Sequence, residues 1–117
     1  MLQLAVLVFA IGALGGVVLA TFVLRERLAP WALSLLHAAL GAAGLVLTAI
    51  VLFGGGADVP PRTGLALLLL VIAALGGFFL ASFHLRQRPG PRAVVVIHAG
   101  VAVIGFLLLA GGAFSLF

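Results

Sequence analysis

Hydrophobic residues in this chain fall into four long blocks with almost no polar interruption, and the polar residues collect in three short breaks between them. The blocks run roughly Leu2–Leu24, Trp31–Phe53, Gly64–Leu85 and Arg92–Phe117. Each is long enough to cross a hydrocarbon core, which takes about 20 helical residues. None shows the residue-by-residue alternation of a membrane-barrel strand. A helix also satisfies its own backbone polar groups where no water can do so. The breaks "RERLAP", "GGGADVPPR" and "RQRPGP" hold proline, glycine and nearly all the charge, the composition of turns. The pattern predicts an all-α integral membrane four-helix bundle, with residues 1–117 as one transmembrane domain. The first block has no positive leader, and it exceeds the ~7–15 apolar residues of a signal-peptide core. It is read as a true span.

Composition agrees with that solvent. Hydrophobic residues make up 66% of the chain and charged ones 7%, too few to clothe a soluble domain of this size. Every basic residue is arginine, and the acids are Glu26 and Asp58. Arg25, Arg27, Arg86, Arg88 and Arg92 flank the first and third breaks, whereas Arg62 in the second is offset by Asp58. Such asymmetry orients a membrane protein with its arginine-rich loops inside. Loops 25–30 and 86–92 are expected in the cytoplasm and both termini outside, in a bacterial inner (plasma) membrane. The high isoelectric point is accounted for by topology, so the expected partner is the lipid bilayer and not nucleic acid. Cysteine is absent, which removes thiolate chemistry, disulfides and cysteine metal sites.

The second half of the chain repeats the first. "ALGGVVLATFVLRERLAP" at 13–30 aligns without a gap on "ALGGFFLASFHLRQRPGP" at 74–91, an offset of 61 (74 − 13). Leu and Ala matches arise easily in membrane sequence; the rarer residues carry the argument. Gly15-Gly16 matches Gly76-Gly77, and Phe22, Arg25, Arg27, Pro30 and His37 match Phe83, Arg86, Arg88, Pro91 and His98. The expected units are two helical hairpins, residues 1–55 and 62–117. Both begin on the same side, so they form parallel repeats about a pseudo-twofold axis along the membrane normal. That axis sets His37 opposite His98 at one depth, about 10 Å past the proline turn at 1.5 Å per residue.

Ionisable groups inside a membrane are costly and mark functional sites. A symmetric imidazole pair on diagonal helices suits the two axial positions of one b-type haem. The sequence offers the remaining parts of such a site. Gly41 and Gly44 share the face of His37, and Ala102 and Gly105 that of His98, at helical spacings; Gly16 and Gly77 lie at about the same depth on helices 1 and 3. Arg25, Arg27, Arg86, Arg88 and Arg92 stand at the near surface to meet propionates. Thr21 and Ser82, equivalent in the repeat, are candidate acceptors for the second imidazole nitrogen, as are helix carbonyls one turn back. With three histidines in all, one haem per chain is the limit. His84 has Val23 as its counterpart and is read as a headgroup-level histidine near Arg86, within reach of a propionate or quinone headgroup.

The motif His-x3-small-x2-Gly, carried by His37/Gly41/Gly44 and His98/Ala102/Gly105 beside arginine-rich loops, resembles small membrane-embedded b-type cytochromes. That resemblance implies a four-helix bundle with transmembrane bis-histidine haem and a role in one-electron transfer. Two-haem members carry histidines near both faces; this chain has one set, so the expected role requires a quinone or redox partner subunit, in a homo- or hetero-oligomer. As an enzyme, it would be quinone-linked or part of an oxidoreductase complex. The rival reading is a cofactor-free accessory or scaffold subunit of a larger membrane complex. A small four-helix transporter is the less favoured alternative, because this chain has no acid inside a span for proton coupling and a histidine pair would have to substitute. Ser34, Ser82 and Ser115 have no acid–base set for nucleophilic catalysis.

Overall fold

The structure, a computed structural model, describes residues 1–56 and 58–117. Its helices are α1 (Leu2–Leu24), α2 (Trp31–Phe53), α3 (Thr63–Leu85) and α4 (Arg92–Ala113), with no strand among the described residues. A 23-residue helix reaches about 34 Å, enough for a hydrocarbon core of about 30 Å. All four helices are long and apolar enough to cross a membrane. Their outer faces display Leu14, Val17, Phe78 and Leu107 openly, a surface that only lipid or another apolar partner would wet cheaply.

Three of the helices begin and end within a residue of their expected bounds, α3 starting at Thr63 instead of Gly64. The fourth stops early, at Ala113 and not Phe117. The reason is a left-handed turn: Ser115 has φ +54°, Leu116 N–H donates to Gly111 O at 2.8 Å, and Ser115 N–H donates to Gly112 O. These are the paired bonds of a Schellman motif. The turn folds Phe117 back onto Gly111 and under the Arg62 guanidinium.

α1 packs chiefly on α2 and α3 on α4, and the hairpins meet along α1–α4 and α2–α3. α2 and α4 are therefore diagonal. The apolar core gathers towards the chain termini, where Leu2, Ala5, Val6, Ala66, Leu70 and Leu109 are buried. These buried positions obey the same offset: Ala5 pairs with Ala66, Thr48 with Leu109, Gly44 with Gly105. Even the seats correspond. Gly44 receives the Phe9 ring, and Gly105 receives Leu70, the residue equivalent to Phe9.

The backbone repeats as well. Glu26 and Gln87 have φ of +57° and +56°. Arg27 N–H donates to Phe22 O at 2.8 Å, and Arg88 N–H to Phe83 O at 2.9 Å. Both hairpins thus leave their first helix through one Schellman turn, then re-enter after Pro30 or Pro91, which occupy the N-cap positions of α2 and α4. This shared turn fixes the register of His37 against α1 and of His98 against α3.

Candidate functional site

Each histidine rests in a notch on the other helix of its own hairpin. His37 Nδ1–H donates to Gly12 O at 2.8 Å, and His98 Nδ1–H donates to Ala73 O at 2.6 Å. Gly12 and Ala73 are themselves 61 positions apart, so one bond has been made twice. A helix carbonyl points towards residues three and four further along, whose side chains normally screen it. Here those residues are Gly15 and Gly16 on α1, and Gly76 and Gly77 on α3. A Cβ on Gly16 would stand 2.8 Å from His37 Cε1, and one on Gly77 would stand 3.1 Å from His98 Cε1. Gly15 and Gly76 face the histidine Cβ atoms at ordinary contact distance. The repeated glycine pairs exist to let an imidazole reach a carbonyl that already serves the helix.

This bond fixes the tautomer. A carbonyl only accepts, so Nδ1 carries the proton and the neutral ring presents a lone pair at Nε2. Metal-bound histidines are held in this way, by a carbonyl or carboxylate on the nitrogen opposite the metal. Across the diagonal, the two ring centroids lie 6.3 Å apart with planes at 80°. A metal–imidazole bond is about 2 Å, which sets the centroids of two rings on opposite sides of one ion roughly 6 Å apart. Both rings are only half-buried by protein.

Other expected parts of the site lie elsewhere. Thr21 and Ser82 are not acceptors for the histidines: Thr21 Oγ1–H donates to Val18 O and Ser82 Oγ–H to Phe79 O, each at 2.6 Å. Such back-bonding is the ordinary fate of a hydroxyl within a helix. Gly44 and Gly105 seat Phe9 and Leu70 and belong to helix packing. Gly41, one turn beyond His37, has open space where a side chain would stand.

The arginines differ from one another. Arg86 bonds Ser82 and covers the Phe83 ring, its Cζ 4.5 Å from the centroid. Arg92 pairs with Glu26 at 3.5 Å in full view of solvent. Arg25, Arg27 and Arg88 form no ion pair among the described residues.

His84 is more than a headgroup-level side chain. Its Nδ1 lies 2.7 Å from Ser34 Oγ on α2, and its ring meets Trp31 edge to face at 5.1 Å. Among the described residues there is no group of three or more His, Cys, Asp or Glu side chains able to hold a metal ion. Comparison with protein-family models, with curated proteins and with solved structures gives no match.

Proposed function

We propose that this chain is a membrane b-type cytochrome that holds one haem between His37 and His98 and passes single electrons to a partner. The observation that carries this reading is the mirrored pair: two imidazoles with both Nδ1 atoms occupied, both Nε2 lone pairs left over, and centroids 6.3 Å apart. Two nitrogens make an incomplete set for a bare ion. They complete the coordination of a haem iron, because the macrocycle brings the remaining ligands itself.

Haem, when bound, supplies a reversible one-electron couple at iron. The chain's residues supply the rest. Gly12 and Ala73 carbonyls orient the imidazoles and make their Nε2 atoms better donors. Gly16 and Gly77 leave the room each ring needs to reach its carbonyl. Arg25, Arg27 and Arg88, free of ion pairs among the described residues, are placed for carboxylates at the membrane surface. The apolar cluster around Leu70 and Leu109 closes the opposite end to water.

In this reading the arginine end lies in the cytoplasm and the protein sits in a bacterial inner membrane. A single site set towards one face needs a quinone or a redox subunit to complete the electron path. The experiment is a titration of the purified apoprotein with ferric protoporphyrin. The expected result is saturation at one per chain, with a Soret maximum shifted from that of free haem in detergent. Saturation in the double variant His37→Ala/His98→Ala at the same stoichiometry would remove the assignment.

A further inference from the structure

The duplication also copies the two corners where a loop at the arginine end meets the neighbouring hairpin, and the copies have diverged. One corner is a cleft lined by Val23, Glu26, Pro89, Gly90, Pro91 and Arg92. The other, of about 320 Å³, is lined by Leu28, Ala29, Trp31, His84, Leu85 and Gln87. The 61-residue offset carries Val23 onto His84, Glu26 onto Gln87 and Trp31 onto Arg92. These are two versions of one place.

In the first version, donor and acceptor meet: Arg92 pairs with Glu26 at 3.5 Å. The second has lost the acid and its negative charge, keeping only the neutral amide oxygen of Gln87 as a side-chain acceptor. Gln87 stands where the acid was, and Trp31 replaces the arginine with an indole N–H. His84 adds a third donor. Ser34 Oγ has His84 Nδ1, at 2.7 Å, as its one partner among the described residues, and an imidazole accepts at Nδ1 in its commoner Nε2–H tautomer. Ser34 therefore donates, and His84 carries its own proton on Nε2. Neither Trp31 nor Gln87 spends its side-chain N–H groups on a protein acceptor among the described residues. Three donors with no protein acceptor line one cleft at the arginine end of the bundle.

Charge selects the kind of acceptor. Five arginines occupy this end of the bundle against one acid, Glu26, and that acid is already paired. A neutral acceptor draws nothing from this surplus, whereas an anion does. Leu28, Ala29 and Leu85 on the cleft wall suit an acyl chain continuing into the bilayer. We propose that the His84 cleft binds the phosphate group of an anionic membrane lipid, with His84, Gln87 and Trp31 as donors. The site is independent of the haem reading.

Trp31 is the chain's only tryptophan, so its emission reports from inside the cleft. The 117-residue chain in neutral detergent is titrated with short-chain phosphatidylglycerol, with phosphatidylcholine of equal chain length, and with inorganic phosphate. Phosphatidylglycerol is expected to give a saturable change, phosphatidylcholine none, and inorganic phosphate a much weaker one. His84→Val and Gln87→Glu install the residue or charge already tolerated in the sister corner. Each is expected to weaken phosphatidylglycerol about tenfold, the worth of one charge-assisted hydrogen bond, with helical circular dichroism unchanged. Equal responses to the two lipids, or unaltered affinity in both variants, would overturn the proposal. Inorganic phosphate binding as tightly as the lipid would assign the cleft to a free anion and overturn the lipid as its occupant.

Discussion

His37 and His98 stand on diagonal helices, yet their rings approach to 6.3 Å between centroids and lie nearly perpendicular. Each ring is anchored by its own hairpin, to Gly12 O and Ala73 O. Two independent anchors thus leave an Nε2 lone pair on each of two rings whose centroids are 6.3 Å apart. The shared tautomer follows from the shared kind of acceptor, a backbone carbonyl.

The tautomer is directly measurable. Nitrogen-15 spectra of histidine-labelled protein should place the proton of His37 and of His98 on Nδ1, the less common form of neutral imidazole, and that of His84 on Nε2. Finding the proton on Nε2 of His37 or His98 would mean that the carbonyl bonds do not form.

The glycine notch makes a graded prediction. Gly16→Ala brings a methyl to 2.8 Å of His37 Cε1, and the ring cannot retreat without leaving Gly12 O. Overpacking of this kind costs about 1–3 kcal/mol, only partly offset by the roughly 1 kcal/mol that Ala gains over Gly in a helix. Gly77→Ala, at 3.1 Å, should cost less. Gly41→Ala meets open space, so in the haem-free protein it should be neutral or stabilising. Unfolding in a mild detergent, followed by circular dichroism, gives the order.

Gln87 sits at φ +56° as the left-handed residue of a Schellman turn, a conformation that costs an L-residue about 1–2 kcal/mol. Gln87→Gly should raise stability by about 0.5–1 kcal/mol once the greater freedom of unfolded glycine is counted. Loss of stability in the same unfolding assay would show that the Gln87 side chain supports the turn through a contact of its own.

Because the chain has no cysteine, its topology can be mapped with single introduced thiols. Gln87→Cys should resist a membrane-impermeant maleimide added to intact cells and react after lysis. Ser115→Cys should react in intact cells. The reverse pattern would refute the assigned orientation.

Much of the fold is legible in the sequence because lipid imposes a coarse pattern. Four apolar blocks, punctuated by proline and arginine, give α1 to α3 to within a residue, and the gapless offset of 61 exposes the paired histidines. The end of α4 is not legible, since Ser115 and Phe117 carry no turn signal and the Schellman reversal depends on Phe117 packing back on Gly111. Carbonyl acceptors are expected one helical turn back, but the two in use, Gly12 O and Ala73 O, lie on the neighbouring helix of each hairpin. A backbone carbonyl has no letter of its own, and attention goes to Thr21 and Ser82, whose hydroxyls turn back on their own helix. The usable signal is a run of small residues at 12, 15 and 16, repeated at 73, 76 and 77. The Ser34–His84 bond joins residues 50 apart on different helices, and only the packing of α2 on α3 brings it about.

The central claim is tested most directly by a dithionite-reduced minus air-oxidised visible spectrum of the chain, expressed in haem-replete cells and purified in mild detergent. A sharp α-band with a low-spin Soret shift is predicted, lost in His37→Ala and in His98→Ala, and retained in His84→Val. Well-folded protein with no Soret absorption, or a spectrum unchanged in both single-histidine variants, would contradict it.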